Sequence, residues 1–215
     1  MGMLTEDCMH RAGYKNWRPA PPLPRMGPKT RTDLRYGIHD ATLVGKRGYH
    51  PDAAEQAAHE AAVAAGAVGP SGAEAAAENN CGQQGKQKLG DVQEAFQFAE
   101  QLANEAYVKA QQEPEVAAAF AQWSACMKES GYVYREPLDV ASDRKFGGEV
   151  TKAEIETAQT DLQCRGRTNL ALTWFEAESK LQKASEEKNA LVLQDGRKKL
   201  DATMKTVTAV LAGRS

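Results

Sequence analysis

The chain writes one short pattern twice, and that pattern limits what it can fold into. Residues 5–19 read TEDCMHRAGYKNWRP and residues 123–137 read WSACMKESGYVYREP. Aligned without a gap, Cys8 falls on Cys126, Met9 on Met127, Gly13 on Gly131, Tyr14 on Tyr132 and Pro19 on Pro137. The spacing predicts a helix ending at Ala12 in one copy and at Ser130 in the other. Glycine supplies the left-handed residue past the helix end, and tyrosine folds back onto the methionine one turn earlier. Each copy therefore presents a cysteine inside a last helical turn.

Four cysteines, at positions 8, 81, 126 and 164, allow three pairings. The duplication selects one. In each half the early helix is followed by a segment with one more cysteine and a nearby glycine, Cys81-Gly82 and Cys164-Arg165-Gly166. Cys8 is thus expected to pair with Cys81, and Cys126 with Cys164. Such staples are needed, because Leu, Ile, Val and Phe make up only 34 of 215 residues, below the level of about one in five usual for folded domains. No C-x-x-C pair or zinc-finger spacing competes for the thiols. Disulfides place a protein outside the cytoplasm.

Net charge is −2 and the pI about 6.1, which offers nothing to nucleic acid or an anionic membrane. No stretch has the apolar length of a membrane span. Glu6 and Asp7 near the start are incompatible with a signal peptide, and Glu6 stands where a myristoylation motif needs Ser or Thr. The reading is a mature exported chain, its signal sequence absent.

Taken in order, the pattern predicts an all-α, disulfide-stapled protein. An irregular Pro/Gly-rich N-terminal region is followed by a long C-terminal helix or helical hairpin of coiled-coil character. Residues 1–90 form a Cys-stapled, loop-rich unit and residues 91–215 a helical unit, within one continuous structural domain. After Trp17, PAPPLPRMGPKT cannot hold a helix. Asp40 caps a helix from Ala41 to Arg47, and Gly48-Tyr49 reads as a third glycine–tyrosine ending. Pro51 opens an alanine-rich helix with little to bury. Between Gly66 and Gly90 only a two-turn helix ending before Cys81 is expected, started by a Ser71/Glu74 capping box.

Asp91 and Glu94 cap the next helix, with Phe98, Leu102 and Ala106 on one stripe. Pro114 starts the helix that carries Val116, Phe120, Trp123 and Met127 and delivers Cys126. Thr151 and Glu154 form a capping box, with Val150 and Ile155 in the staple positions. From there one helix with a weak point at Gly166 is read to about Leu211, some sixty residues or roughly 90 Å. Leu191 and Leu200 stand nine apart, on opposite sides of a helix. The stripe therefore swings near Asp195-Gly196, where continuation is favoured over a hairpin.

Several of these segments resemble a known group. CMxxxGY in two copies, RYGIHD, KRGYHP, EIETAQTDLQC and TNL followed by Trp174-Phe175 resemble an uncharacterised actinobacterial (Streptomyces-type) family of secreted proteins and lipoproteins. The resemblance spans nearly the whole chain. It implies a cell-envelope location, a lipid anchor on a removed N-terminal region and association with an ABC-transporter or membrane-fusion system. It implies no catalytic residue.

The sequence shows no G-x-S-x-G, H-E-x-x-H or P-loop. His10, His39, His50 and His59, with Asp40 and Asp52, are the only candidate metal ligands, and their spacing is irregular. No catalytic residue, metal or cofactor is assigned. The expected function is a non-enzymatic extracytoplasmic binding or adaptor protein with a protein partner in the cell envelope. A helix-mediated dimer is compatible with the long helix. The alternative is an envelope hydrolase or metal-dependent enzyme built on the histidine-rich N-terminal region. Trp17, Arg35, Tyr36, Tyr49, Tyr132, Tyr134 and Trp174 are the candidate binding surface.

Overall fold

The computed structural model describes residues 2–27, 30–67, 72–90, 92–146 and 149–213, and among them it is all-helical. The helices are α1 (Gly2–Arg11), α2 (Arg31–Tyr36), α3 (Ala41–Arg47), α4 (Ala53–Ala62) and α5 (Gly72–Leu89), followed by α6 (Gln93–Ala110), α7 (Pro114–Glu129), α8 (Lys152–Arg167), α9 (Leu170–Lys188) and α10 (Ala190–Ala212). Two compact units result. One gathers residues 1–23, 62–103 and 185–215, and the other residues 24–61 and 104–184. The sequence reading put a single boundary at residue 90, whereas these boundaries fall inside α4, α6 and α9.

The duplicated motif folds alike in both places. Tyr14 N–H donates to Met9 O at 3.0 Å and Gly13 N–H to His10 O at 3.2 Å. Tyr132 N–H donates to Met127 O and Gly131 N–H to Lys128 O, both at 3.0 Å. Gly13 has φ 99° and Gly131 φ 88°, so each copy is a Schellman ending that a side chain at the glycine would strain. The bonds pair as the duplication implies: Cys8 with Cys81 and Cys126 with Cys164. No cysteine is free.

In the first unit Cys8, Met9, Trp17 and Cys81 form a small core between α1 and α5. The second unit has the larger core, in which Trp123, Met127, Phe146, Leu170 and Trp174 are almost fully enclosed. Trp174 stacks on Tyr107 at 5.0 Å and meets Tyr36 and Phe120 edge-on. Alanine-rich α4 buries nothing completely, as its composition predicts.

Several expectations need correction. The segment carrying Cys81 is an eighteen-residue helix, α5. Its Glu, Gln, Lys and Ala residues outweigh its glycines once the disulfide and α1 hold one face. Its proposed cap Ser71 lies outside the described residues, as does Asp91. Pro51 does not open α4. Asp52 does, exchanging bonds with Glu55 in a reciprocal box at 2.9 and 3.0 Å.

The sixty-residue helix is three helices. Gly166 lies inside α8, and the interruption falls at Asn169, the one described non-glycine residue with positive φ, 50°. A second interruption is at Asn189, whose backbone N–H (3.1 Å) and side-chain amide (2.7 Å) both donate to Ser185 O. The helix does continue through Gly196, giving the long C-terminal α10. Gly196 is small for packing: a Cβ there would lie 3.0 Å from Ala95 Cβ.

Candidate binding site

Two segments of the second unit meet on one face of α8. The first is Arg35-Tyr36-Gly37, at the end of α2. The second is Gly48-Tyr49-His50, just past α3. On α8 itself Glu154, Asp161 and Arg165 stand four to seven residues apart, and all three are buried. That spacing puts them on one helical face.

Glu154 corrects the capping reading. Thr151 Oγ1 accepts the Glu154 N–H at 3.1 Å, but the Glu154 carboxylate does not return the bond. It reaches away to accept Tyr49 N–H at 2.8 Å, His50 N–H at 3.1 Å and His50 Nδ1 at 2.8 Å. The third glycine–tyrosine ending is therefore not a Schellman turn. Gly48 N–H still donates to Val44 O, but its ψ of −122° aims the next amide at Glu154. A Cβ at Gly48 would lie 2.7 Å from Glu154 Cγ, so glycine is what lets the carboxylate approach.

Asp161 takes three donors: Trp123 Nε1 at 2.8 Å, Arg165 Nε at 2.7 Å and Tyr49 OH at 3.0 Å. Burial pushes its pKa up, and the Arg165 guanidinium opposes that shift. Burial also raises the Tyr49 phenol, helped by the negative charge of Asp161. Arg165 spends its other bonds on the main chain, Nη1 to Tyr36 O at 2.5 Å and Nη2 to Pro137 O at 2.6 Å. A Cβ at Gly37 would meet Arg165 Nη1 at 2.5 Å. Glu178 on α9 holds the first segment, accepting from Arg35 Nε at 2.6 Å and Tyr36 OH at 2.8 Å. Burial raises the Tyr36 phenol, and its bond to Glu178 adds to the shift. Each of these carboxylates holds structural donors from another segment, which makes the network a clamp.

Beside the clamp lies a cavity of about 270 Å³ bounded by residues 33–49 and 137–142, with Arg165 in its lining. Leu34, Ile38, Leu43, Val44 and Leu138 make its walls apolar.

The predicted surface residues do not form one surface. Trp17, Tyr36 and Trp174 are buried. Trp17 caps the small core, and Trp174 is fully enclosed with an unpaired indole N–H. Arg35 is partly exposed and lies 4.7 Å over the Tyr107 ring. Tyr49, Tyr132 and Tyr134 pack against the larger core, and Tyr134 OH donates to Asp143 at 2.8 Å. Of the seven, only Tyr49 lines the cavity. Sequence reasoning missed Glu154, Asp161, Arg165 and Glu178, because charged residues on a helix read as a solvated face. The i, i+4 pair Asp161/Arg165 beside Cys164 was the available signal.

Three of the four histidines have separate partners. His10 contacts Trp17 O and Arg18, His39 contacts Asp33 at 2.6 Å and His50 contacts Glu154. Among the described residues no three His, Cys, Asp or Glu side chains converge, and no helix is long and apolar enough to cross a membrane. The chain matches no protein-family model, no curated protein and no solved structure.

Proposed function

We propose that this chain is a non-enzymatic binding or adaptor protein that works outside the cytoplasm, with α10 as its docking element. The observation that carries the reading is that α10, a 23-residue helix, has no fully buried residue. Several of its apolar side chains are left open: Leu191 is 82% exposed, and Val192, Met204 and Leu211 are about half exposed. Within the first unit α10 and the start of α6 border a groove of about 470 Å³, with Phe96, Phe98, Val192, Leu193 and Leu200 in its walls. Glu94, Asp195, Arg197 and Lys199 also line it.

A two-helix groove with apolar walls and charged flanks suits an amphipathic helix from a protein partner, read through anchors one turn apart. Two disulfides support an oxidising location. The commitment of the buried carboxylates to structural bonds supports a role without chemistry.

Photo-crosslinking in producing cells tests this. A crosslinking residue at Phe96 or Val192 is expected to give a discrete protein adduct that one at exposed Lys128 does not. Identical products from all three sites, or none, would overturn the docking role. Four reduced cysteines, trapped without prior exposure to reductant, would overturn the location.

A further inference from the structure

The cavity beside the clamp has a directional chemistry that the docking groove lacks. Its deep side is made by Val44, Pro137 and Arg165, all buried. Its mouth is made by exposed Leu34, Asp40 and Ala141. Three of the five Arg165 N–H groups are spent on Asp161, Tyr36 O and Pro137 O. One N–H on each terminal nitrogen is left over by count. The charge of Arg165 is balanced by Asp161 at 2.7 Å, and that of Arg47, also in the lining, by Glu55 at 3.3 Å. Asp40 is different. Its Oδ1 caps α3 through Thr42 and Leu43 N–H, and no cation pairs with it among the described residues. The cavity thus runs from the Arg165 guanidinium on its buried side, past apolar walls, to a carboxylate at its mouth with no cation partner among the described residues.

We propose that this cavity binds a small amphipathic cation, with its apolar body between Leu43 and Leu138, an acceptor oxygen toward Arg165 and an ammonium group toward Asp40. An amino-acid amide or the first residue of an apolar peptide has this chemistry. Anions are disfavoured, because both arginines are already neutralised and the mouth is acidic. The volume, near the lower end for ligand sites, holds one such residue.

The test uses three probes with one side chain and different charge: leucinamide, N-acetylleucinamide and N-acetylleucine. Each is titrated into the full-length protein while amide and Arg165 Nε–H shifts are followed by NMR, at about pH 6.5, where an α-ammonium is charged. Saturable shifts at Gly37, Tyr49, Leu138 and Arg165 are expected, with affinity falling in the order the probes are named and a best Kd of about 1 mM. D40N keeps the helix cap, since Asn caps as well as Asp. It should weaken leucinamide about two- to fivefold and leave the neutral probe unchanged. A141W, at an exposed position, should block all three.

The proposal is overturned if no probe gives saturable shifts up to about 20 mM, if N-acetylleucine binds best, or if D40N leaves the preference for leucinamide intact. Shifts that survive A141W would place binding elsewhere and overturn it too. None of these results bears on crosslinking from Phe96 and Val192.

Discussion

Glu154 Oε1 accepts the backbone N–H of Tyr49 at 2.8 Å, so a carboxylate at the start of α8 completes the end of α3. The same oxygen serves His50 through its N–H and its ring, while Oε2 is buried with no partner. A side chain this committed should be costly to remove. E154A leaves those donors without an acceptor and is expected to lose about 2–4 kcal/mol. E154Q keeps one acceptor oxygen and should lose less. Urea denaturation of both variants measures this, and an E154A as stable as the parent would refute the clamp.

Two glycine-to-alanine changes should have opposite signs. Gly37 has φ 87°, and its Cβ would fall 2.5 Å from Arg165 Nη1. G37A is expected to cost about 2 kcal/mol or more, through strain and displacement of a buried guanidinium. Gly82 sits inside α5 with nothing within 4 Å of an added Cβ. G82A should stabilise by about 0.5–1 kcal/mol through helix propensity alone. Thermal unfolding of the pair gives the signs directly.

The all-helical class and both Schellman endings could be read from the sequence because they rest on local rules, and both disulfides because the cysteine motif is duplicated. A glycine five residues after a cysteine fixes a helix end whatever packs on it. The clamp could not be read in this way. Thr151 and Glu154 have the spacing of a capping box, and nothing local says that the carboxylate will serve a chain end about a hundred residues earlier. Asp161 and Arg165 likewise look like a surface i, i+4 pair until Trp123 and Tyr49 cover them. Continuation through Gly196 was legible too, but Gly166 reads as the weak point of the long helix, whereas the breaks fall at Asn169 and Asn189. Asparagine competes for the backbone as well as glycine frees it.

The two disulfides should fail differently. Cys8–Cys81 closes 73 residues and Cys126–Cys164 closes 38, so chain entropy assigns each about 4 kcal/mol. What surrounds them differs. The first supports a core of four residues between α1 and α5, and the second lies in the core that holds Trp123 and Trp174. Replacing Cys8 and Cys81 by alanine should speed tryptic cleavage at Lys86 and Lys88 and cost the near-ultraviolet signal of Trp17, while that of Trp123 and Trp174 persists. Replacing Cys126 and Cys164 should erode that signal instead. Equal effects on both readouts would show that the two cores do not depend on separate staples.

Alkaline pH should unfold the second unit before it breaks any covalent bond. Tyr36 and Tyr49 both have phenol pKa values above the usual 10, raised first by burial and then by Glu178 and Asp161. Below that pH both folded and unfolded chains hold these protons, and the stabilisation is fully present. Above it the unfolded chain releases protons that the folded chain keeps. Stability must therefore fall as pH rises, by up to about 1.4 kcal/mol per pH unit for each tyrosine. Urea midpoints measured between about pH 8 and about pH 11 should be flat at first and then decline steeply. Y49F should be less stable at neutral pH by about 1 kcal/mol, having lost the bond to Asp161, yet decline less steeply above pH 10, because one of the responsible protons is gone. A parent protein equally stable across that range, or a Y49F variant with an unchanged slope, would mean that these phenols are not held as described.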